Sequence, residues 1–290
     1  MPIAPDMWDA AFKQWLGGIE PAWSMLDRDS LASLRHPPSP VFGPIRLASD
    51  LTPEEIQQSP VGRNTLILLR SAAEGSGLKR TAMGNLSRAV VAEMLERFTW
   101  PDFDKNEFSG ICKVINESDF LALLFVRRVA EAARLLRRYK GHFRATPAGR
   151  RMSREPNLRA LQAVLFHSAF WHLELGYVSL NLHGDWPQRD AGIVLWCLSV
   201  AAHDWQSRER LTRLCTIPVE GHLNMTWDTA SFAMDEQILR PLTWFGLLEE
   251  KQGELEPGQI VARRLYRKTE LFDRFLLFDV RPTTPSTPRH

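Results

Sequence analysis

The chain has little cysteine: Cys112, Cys197 and Cys215 are odd in number and widely spaced. No two of them stand at the spacing of a zinc clasp or a redox pair. Neither a disulfide framework nor a metal site is expected, and a reducing compartment fits best. Also missing is an uncharged apolar run long enough to cross a bilayer. The richest stretch, Leu158 to Leu182, carries Arg159, His167, His172 and Glu174, all costly in hydrocarbon, so it reads as one buried helix. At the start of the chain Asp6 and Asp9 surround Trp8, and no basic segment leads into an apolar one, so a secretory signal is not expected. The expected location is cytoplasmic. No serine sits in a nucleophile elbow, and Gly75 to Gly77 is a helix end and turn rather than a phosphate cradle. His167 and His172 stand about 140° apart around a helix and lack a carboxylate at the next turn. They read as core or interfacial histidines rather than metal ligands. No enzymatic activity, cofactor or metal is expected.

What the chain has is apolar mass and polarised charge. With 290 residues, 44% of them apolar, it can fill two or three small cores. The formal charge is only +2, yet residues 60–155 hold 18 basic against 10 acidic side chains. The segments on either side are net negative. Between Arg127 and Arg154 ten basic residues meet a single acid, Glu131. Such asymmetry bears on partners rather than on fold.

Local signals divide the chain. Trp8, Phe12, Trp15 and Ile19 form one apolar stripe on a first helix, which packs on its own domain or, in the minority reading, serves as a dimerisation arm. Pro37, Pro38, Pro40, Gly43 and Pro44 then predict a linker or extended loop. Thr52 and Glu55 form a capping box, and Ser59-Pro60 opens a helix over about 60–74, with Leu66, Leu69 and Ala73 turned inward. A short extended piece (Leu78 to Ala82), a turn at Gly84-Asn85 and a helix from Ser87 to Phe98 follow. An insertion rich in Asp, Asn and Gly leads to a third helix, Ser118 to Ala133. Lys140-Gly141 reads as a two-residue turn between strands Leu135–Tyr139 and His142–Thr146, and Thr146-Pro147 starts another helix.

That order, helix, strand, helix, helix, strand, wing, strand, resembles the winged helix-turn-helix superfamily over residues 60–152. Leu78-Lys79-Arg80-Thr81-Ala82-Met83-Gly84-Asn85-Leu86 is similar to a string in uncharacterised plasmid and insertion-element passenger (ORF-3-like) proteins, a likeness that implies no activity. The grammar recurs downstream. After an apolar helix from Asp190 to His203 and a polar one from Arg208 to Leu214, Asp228 caps a helix to about Trp244. Leu247–Lys251 reads as a strand, Gln252-Gly253 as its turn and Leu265–Phe278 as a terminal helix. The expected architecture is mainly α with small β-hairpins, two winged-helix-like units in tandem and an N-terminal helical arm. The boundaries are 1–50 for arm and linker, 51–155 for a basic unit, 156–280 for a degenerate second unit and 281–290 for a disordered tail.

On that register Arg137 faces Arg144 across the wing, and directly opposed like charges are unfavourable unless something neutralises them. A phosphate backbone would do so. The expected nucleic-acid contacts are Arg127, Arg128, Arg134, Arg137, Arg138, Lys140, Arg144, Arg150 and Arg151. At the position of the recognition helix Glu117, Ser118 and Asp119 would repel phosphates, or serve as helix caps, and Phe120 to Val126 is too apolar to be exposed. Holding with little base readout follows. The second hairpin, with Glu249, Glu250, Glu254 and Glu256 around its turn, has the opposite sign. Its acids read as solvated edge residues and Arg263, Arg264, Arg267 and Lys268 as the polar face of the terminal helix; a docking surface is the alternative. The expected partner is DNA, bound with low sequence specificity in a regulatory or mobile-element setting. The alternative is a winged-helix scaffold that contacts an acidic protein. A homodimer through the arm or the second unit stays open.

Overall fold

The structure, a computed structural model, describes residues 5–39, 43–101, 115–178, 184–219, 223, 228–255, 262–280 and 282. The insertion after Pro101, Cys112, His183 and the expected disordered tail lie outside the described residues, apart from Pro282. The described chain is mainly helical with small antiparallel sheets. Its helices are α1 (Pro5–Leu16), α2 (Arg28–Leu34), α3 (Pro53–Gln58), α4 (Pro60–Ala73), α5 (Arg88–Arg97), α6 (Leu121–Ala132), α7 (Pro147–Met152), α8 (Leu161–His172), α9 (Ala191–Ala201), α10 (Arg208–Cys215), α11 (Thr229–Met234), α12 (Arg240–Trp244) and α13 (Glu270–Phe275). The strands are β1 (Ile45–Leu47), β2 (Leu78–Lys79), β3 (Leu136–Tyr139), β4 (His142–Ala145), β5 (Gln206–Ser207), β6 (Leu248–Gln252), β7 (Arg264–Lys268) and β8 (Leu276–Phe278).

The chain divides into two compact units, and one interrupts the other. The inserted unit comprises residues 48–173 with 244–246, and the terminal unit comprises 1–47, 174–243 and 247–290. These boundaries correct the expected linear order. Residues 1–47 are not a separate arm but part of the terminal unit, and residues 156–173 belong to the inserted one.

In the inserted unit local chemistry sets the helix starts. The Thr52 hydroxyl accepts from the Glu55 amide at 3.2 Å while the Glu55 carboxylate accepts from the Thr52 amide at 2.7 Å, the expected reciprocal cap. Ser59 caps α4 by accepting from the Gly62 amide at 3.0 Å, with Pro60 in the first turn. Leu66, Leu69 and Ala72 are fully buried, and Ala73 is only half-buried. Gly77 at φ +87° ends that passage, where an added Cβ would lie 2.5 Å from the Phe143 carbonyl. The three strands pair in the order β2-β4-β3, all antiparallel. The predicted buried helix over 157–182 is shorter than expected: a 3-10 turn at Asn157–Ala160 feeds α8, which stops at His172.

The terminal unit repeats the sequence of elements. Helix α9 is followed by β5, α10, a long helical segment (α11, a π turn at Asp235–Leu239, then α12) and the pair β6 and β7. Its sheet runs β5-β7-β6, the same first, third, second order. Two expectations fail here. Residues 264–268 form a strand, α13 spans only Glu270–Phe275, and Leu276–Phe278 returns as a strand, so no single terminal helix exists. Gln252 is not a turn residue either, since it pairs with Arg264. The proline-rich stretch contains β1, which pairs with β8 through Ile45↔Phe278 and Leu47↔Leu276. On α1, Trp8 stacks on Phe12 at 5.1 Å and Phe12 meets Trp23 at 6.4 Å, so that stripe packs within its own unit.

Helix α9 is apolar all round because it is the core of this unit: Ile193, Val194, Leu195, Cys197 and Leu198 are wholly buried. At Gly192 a Cβ would lie 2.0 Å from the Leu34 carbonyl oxygen and 2.7 Å from Ile45 Cδ1. The end of the Ile45 side chain could yield, but the Leu34 carbonyl is backbone, so α2 itself would have to move. Gly192→Ala is therefore expected to cost about 1–3 kcal/mol, read from the urea midpoint of the full chain. An unchanged midpoint would refute the close approach.

Candidate nucleic-acid interface

The hairpin of the inserted unit has a buried underside and a charged upper face. Leu136, Phe143 and Ala145 are buried on one face; β4 alternates cleanly, whereas in β3 only Leu136 is buried and Arg138, on the same face, is exposed. Lys140 (φ +44°) and Gly141 (φ +75°) both adopt positive φ, as a two-residue hairpin turn of the primed type requires. The register is the one expected: Arg137 lies opposite Arg144, and Tyr139 opposite His142.

An aromatic ring moderates the opposed cations. The Arg137 guanidinium carbon lies 5.3 Å from the Tyr139 ring centre, Lys140 Nζ 5.5 Å and the Arg144 guanidinium carbon 5.9 Å. The electron-rich face of the ring attracts all three, and Tyr139 itself remains 41% exposed. Arg144 also donates to the Gly75 carbonyl at 3.1 Å. Alongside runs the Leu78–Leu86 string, a compact loop docked on the turn. The Arg80 amide donates to the Gly141 carbonyl at 2.9 Å, Arg80 bridges Leu86, and Gly84 (φ +92°) turns the loop. At its tip Met83 is 89% exposed.

Helix α7 carries the next cations. Thr146 accepts from the Gly149 amide at 3.0 Å and donates to the Arg134 carbonyl at 2.8 Å, fixing the helix start beside the hairpin base. Arg150 and Arg151 are exposed, as are Arg128, Arg134, Arg137 and Lys140, while Arg144 is half-buried. Among the described residues none of these seven lies within ion-pair distance of a carboxylate.

Arg127 leaves the candidate set. Its side chain is 2% exposed and forms ion pairs with Glu117, itself fully buried, and with Glu131. Glu117 also accepts from the Leu86 amide at 2.8 Å, and the Arg127 guanidinium lies 5.1 Å from the Phe143 ring centre. The residue is a structural clasp between the start of α6, its last turn and the sheet. Glu117 is correspondingly no phosphate-repelling surface acid. Nor do Ser118 and Asp119 cap α6: Asn116 and Asp119 cap a short 3-10 turn ahead of it. Hydrogen bonds from Asn116 hold the Asp119 carboxyl below its ordinary range. Arg138 is 57% exposed and engages Glu131 at 2.9 Å, so it is only partly available.

The helix in the recognition position cannot present a reading face. In α6 Ala122, Leu123, Phe125, Val126, Val129 and Ala130 are buried, and Arg128 alone is exposed. Phe125 packs edge-on against Trp244 at 4.7 Å and near Phe245 at 6.5 Å, and Gln162 of α8 donates to the Phe245 carbonyl at 2.8 Å. Residues 244–246 thus complete the core of the inserted unit, a role that sequence reading missed. Tyr139 and the exposed Lys79, which pairs with His142, were also missed as site residues. The position of Tyr139 opposite His142 was implicit in the hairpin register, whereas that of Lys79 depends on the separate pairing of β2 with β4.

In the second hairpin two of the four expected acids are paired with arginines across the strands; Glu254 is exposed, and Glu256 lies outside the described residues. Glu249 pairs with Arg267 directly opposite at 2.8 Å, and Arg264 reaches Glu250 at 3.5 Å. An acidic strand is zipped to a basic one, with Trp205 between Lys251 at 4.3 Å and Arg267 at 4.8 Å. His167 and His172 do meet, edge to face at 4.9 Å, although they are not stacked one turn apart. Burial, then the neighbouring His172, lowers the His167 pKa. Among the described residues no group of His, Cys, Asp and Glu could hold a metal ion, and no helix is long and apolar enough to cross a membrane.

A family model described as the Y4jL N-terminal domain matches residues 57–158, all within the inserted unit. A Sinorhizobium fredii (strain NBRC 101917 / NGR234) protein, described as uncharacterized protein y4jL, is 33% identical over 106 residues. That similarity covers 37% of this chain and 47% of the relative, so the chain spans about half of the relative's length. No solved structure matches the chain significantly.

Proposed function

We propose that residues 60–152 are a winged helix-turn-helix module that binds duplex DNA through its basic hairpin, with low sequence specificity. The observation that carries this reading is the wing itself: Arg137 opposed to Arg144, Lys140 at the tip, and no described carboxylate in ion-pair range of any of them. Directly opposed cations on a hairpin are unfavourable for the isolated chain and favourable against a phosphate backbone. The β2-β4-β3 order and the helix order support the module, and the same order in the terminal unit supports a tandem pair. The buried α6 supports contact with phosphates rather than base edges. A regulatory or mobile-element setting in the cytoplasm belongs to this proposal, on the likeness of the Leu78–Leu86 string.

A second reading has one observation in its favour. A module whose recognition helix is buried and whose surface displays Met83 and Tyr139 is also suited to a protein partner carrying acidic residues. Fluorescence anisotropy with mixed-sequence and genomic duplexes at physiological salt separates the two. Similar affinities across sequences, falling steeply with added salt, are expected. Absence of binding by the folded full chain would select the protein partner.

A further inference from the structure

We propose a second anion site, in the terminal unit: a cavity of about 470 Å³ that binds a phosphate group. Five guanidinium groups, Arg208, Arg210, Arg213, Arg263 and Arg264, line it, against two carboxylates, Glu209 and Asp228. Each acid already has a partner, although the second oxygen of Glu209 is buried and accepts no hydrogen bond among the described residues. Glu209 accepts from Arg208 at 3.0 and 3.2 Å, and Asp228 spends its oxygens on the Ser231 amide (3.1 Å) and hydroxyl (2.7 Å), capping α11. No described carboxylate lies within ion-pair distance of Arg210 or Arg213, so the cavity carries a positive excess.

Two further features prepare the cavity for an anion. The first turn of α10 forms part of the wall, with Ser207 accepting from the Arg210 amide at 3.2 Å, so the positive end of that helix adds to the field. Arg264 is held in place from behind. Asp235, 1% exposed and set in the π turn, lies 3.4 Å from Arg264 and 3.2 Å from Arg240, and it accepts the Tyr266 hydroxyl proton. Burial, then the Asp235 charge, pushes the Tyr266 pKa far above its ordinary value, so the phenol stays a donor to that carboxylate. A wall cation anchored in this way loses little freedom on meeting a ligand.

Planar guanidinium forks match the oxygens of phosphate, and the volume falls in the range of small-ligand clefts. The lining is too charged for an apolar guest. The shared chemistry is a phosphate group, carried either by a free phosphorylated compound or by a nucleic-acid strand. The site is independent of the wing proposal, because it lies in the other unit and uses none of the wing residues.

Titration calorimetry of the full chain with inorganic pyrophosphate tests it. The wild type is expected to bind, and Arg210→Ala/Arg213→Ala to lose about tenfold in affinity per arginine while melting normally. A variant carrying Arg137→Ala, Lys140→Ala and Arg144→Ala should bind pyrophosphate as the wild type does. Should the double variant melt early, Arg210→Gln, at an exposed position, carries the same comparison. A parallel titration with a short duplex identifies the source: loss of both affinities in the pocket variant indicates a strand phosphate, and loss of pyrophosphate alone a free compound. No pyrophosphate binding by the wild type, or equal binding by a folded pocket variant, overturns the site whatever the wing does.

Discussion

Arg127→Ala is expected to destabilise the protein by about 3–5 kcal/mol, the cost of leaving one partner of a buried ion pair uncompensated. The Glu117 carboxylate, with none of its side chain exposed, would keep, among the described residues, the Leu86 amide as its donor, and the guanidinium contact with Phe143 would be lost as well. Glu131 would suffer less, because it is partly exposed and retains Arg138 at 2.9 Å. Urea denaturation of the full chain measures the loss. Arg127→Met combined with Glu117→Gln should recover much of it, since the charge is then removed from both sides and the glutamine carbonyl still accepts from Leu86. A loss under about 1 kcal/mol for Arg127→Ala would mean that the clasp is not buried as described and would return Arg127 to the interface.

Replacing Arg137, Lys140 and Arg144 together with alanine should have the opposite profile. All three are on the upper face or turn of the hairpin, so losing the Arg144 hydrogen bond to the Gly75 carbonyl and the contacts with Tyr139 should lower stability by about 1 kcal/mol at most, read from the urea midpoint. DNA affinity is expected to fall about 100-fold at low salt, equally for all sequences. The slope of log affinity against log salt should shrink by about 0.9 for each phosphate contact removed. Unchanged affinity in a variant that melts normally would take the hairpin out of any DNA interface. A fall confined to one sequence would contradict phosphate contact, because backbone phosphates carry no base identity.

The two variants show how similar residues in one charge run have different fates. Ten cations between Arg127 and Arg154 look alike in sequence, and nothing in their spacing separates Arg127 from Arg128. The distinction came from Glu117, an acid read as part of a helix start, which the fold places beneath α6 beside Leu86. The residues that order the hairpin were legible because they act on their neighbours. Glycine after Lys140 permits the turn, alternation then places Leu136 and Phe143 on one face, and pairing of Arg137 with Arg144 follows. The same holds for the caps at Thr52, Ser59, Thr146 and Asp228, each of which accepts from an amide three residues on.

What failed to show was non-local. Arg264 to Lys268 could join a helix as readily as a strand until β6 and β5 flank it, and only then do Glu249 and Arg267 face each other. Ile45 to Leu47 is extended because β8, from the far end of the chain, supplies its partner. Residues 244–246 complete a core built mainly by 48–173, and no pattern in those three residues announces that.

Amino-acid order alone therefore accounts for helix starts, hairpin turn, strand alternation and the polarity of charge along the chain, since each depends on dihedral preference or on neighbours a few residues away. Three-dimensional packing assigns the clasped and the solvent-facing arginines, joins the chain's start to its end, and assembles a cavity from α10, the start of α11 and β7. Burial and ion pairing depend on which distant groups exclude water from a side chain, and that is a property of the folded arrangement.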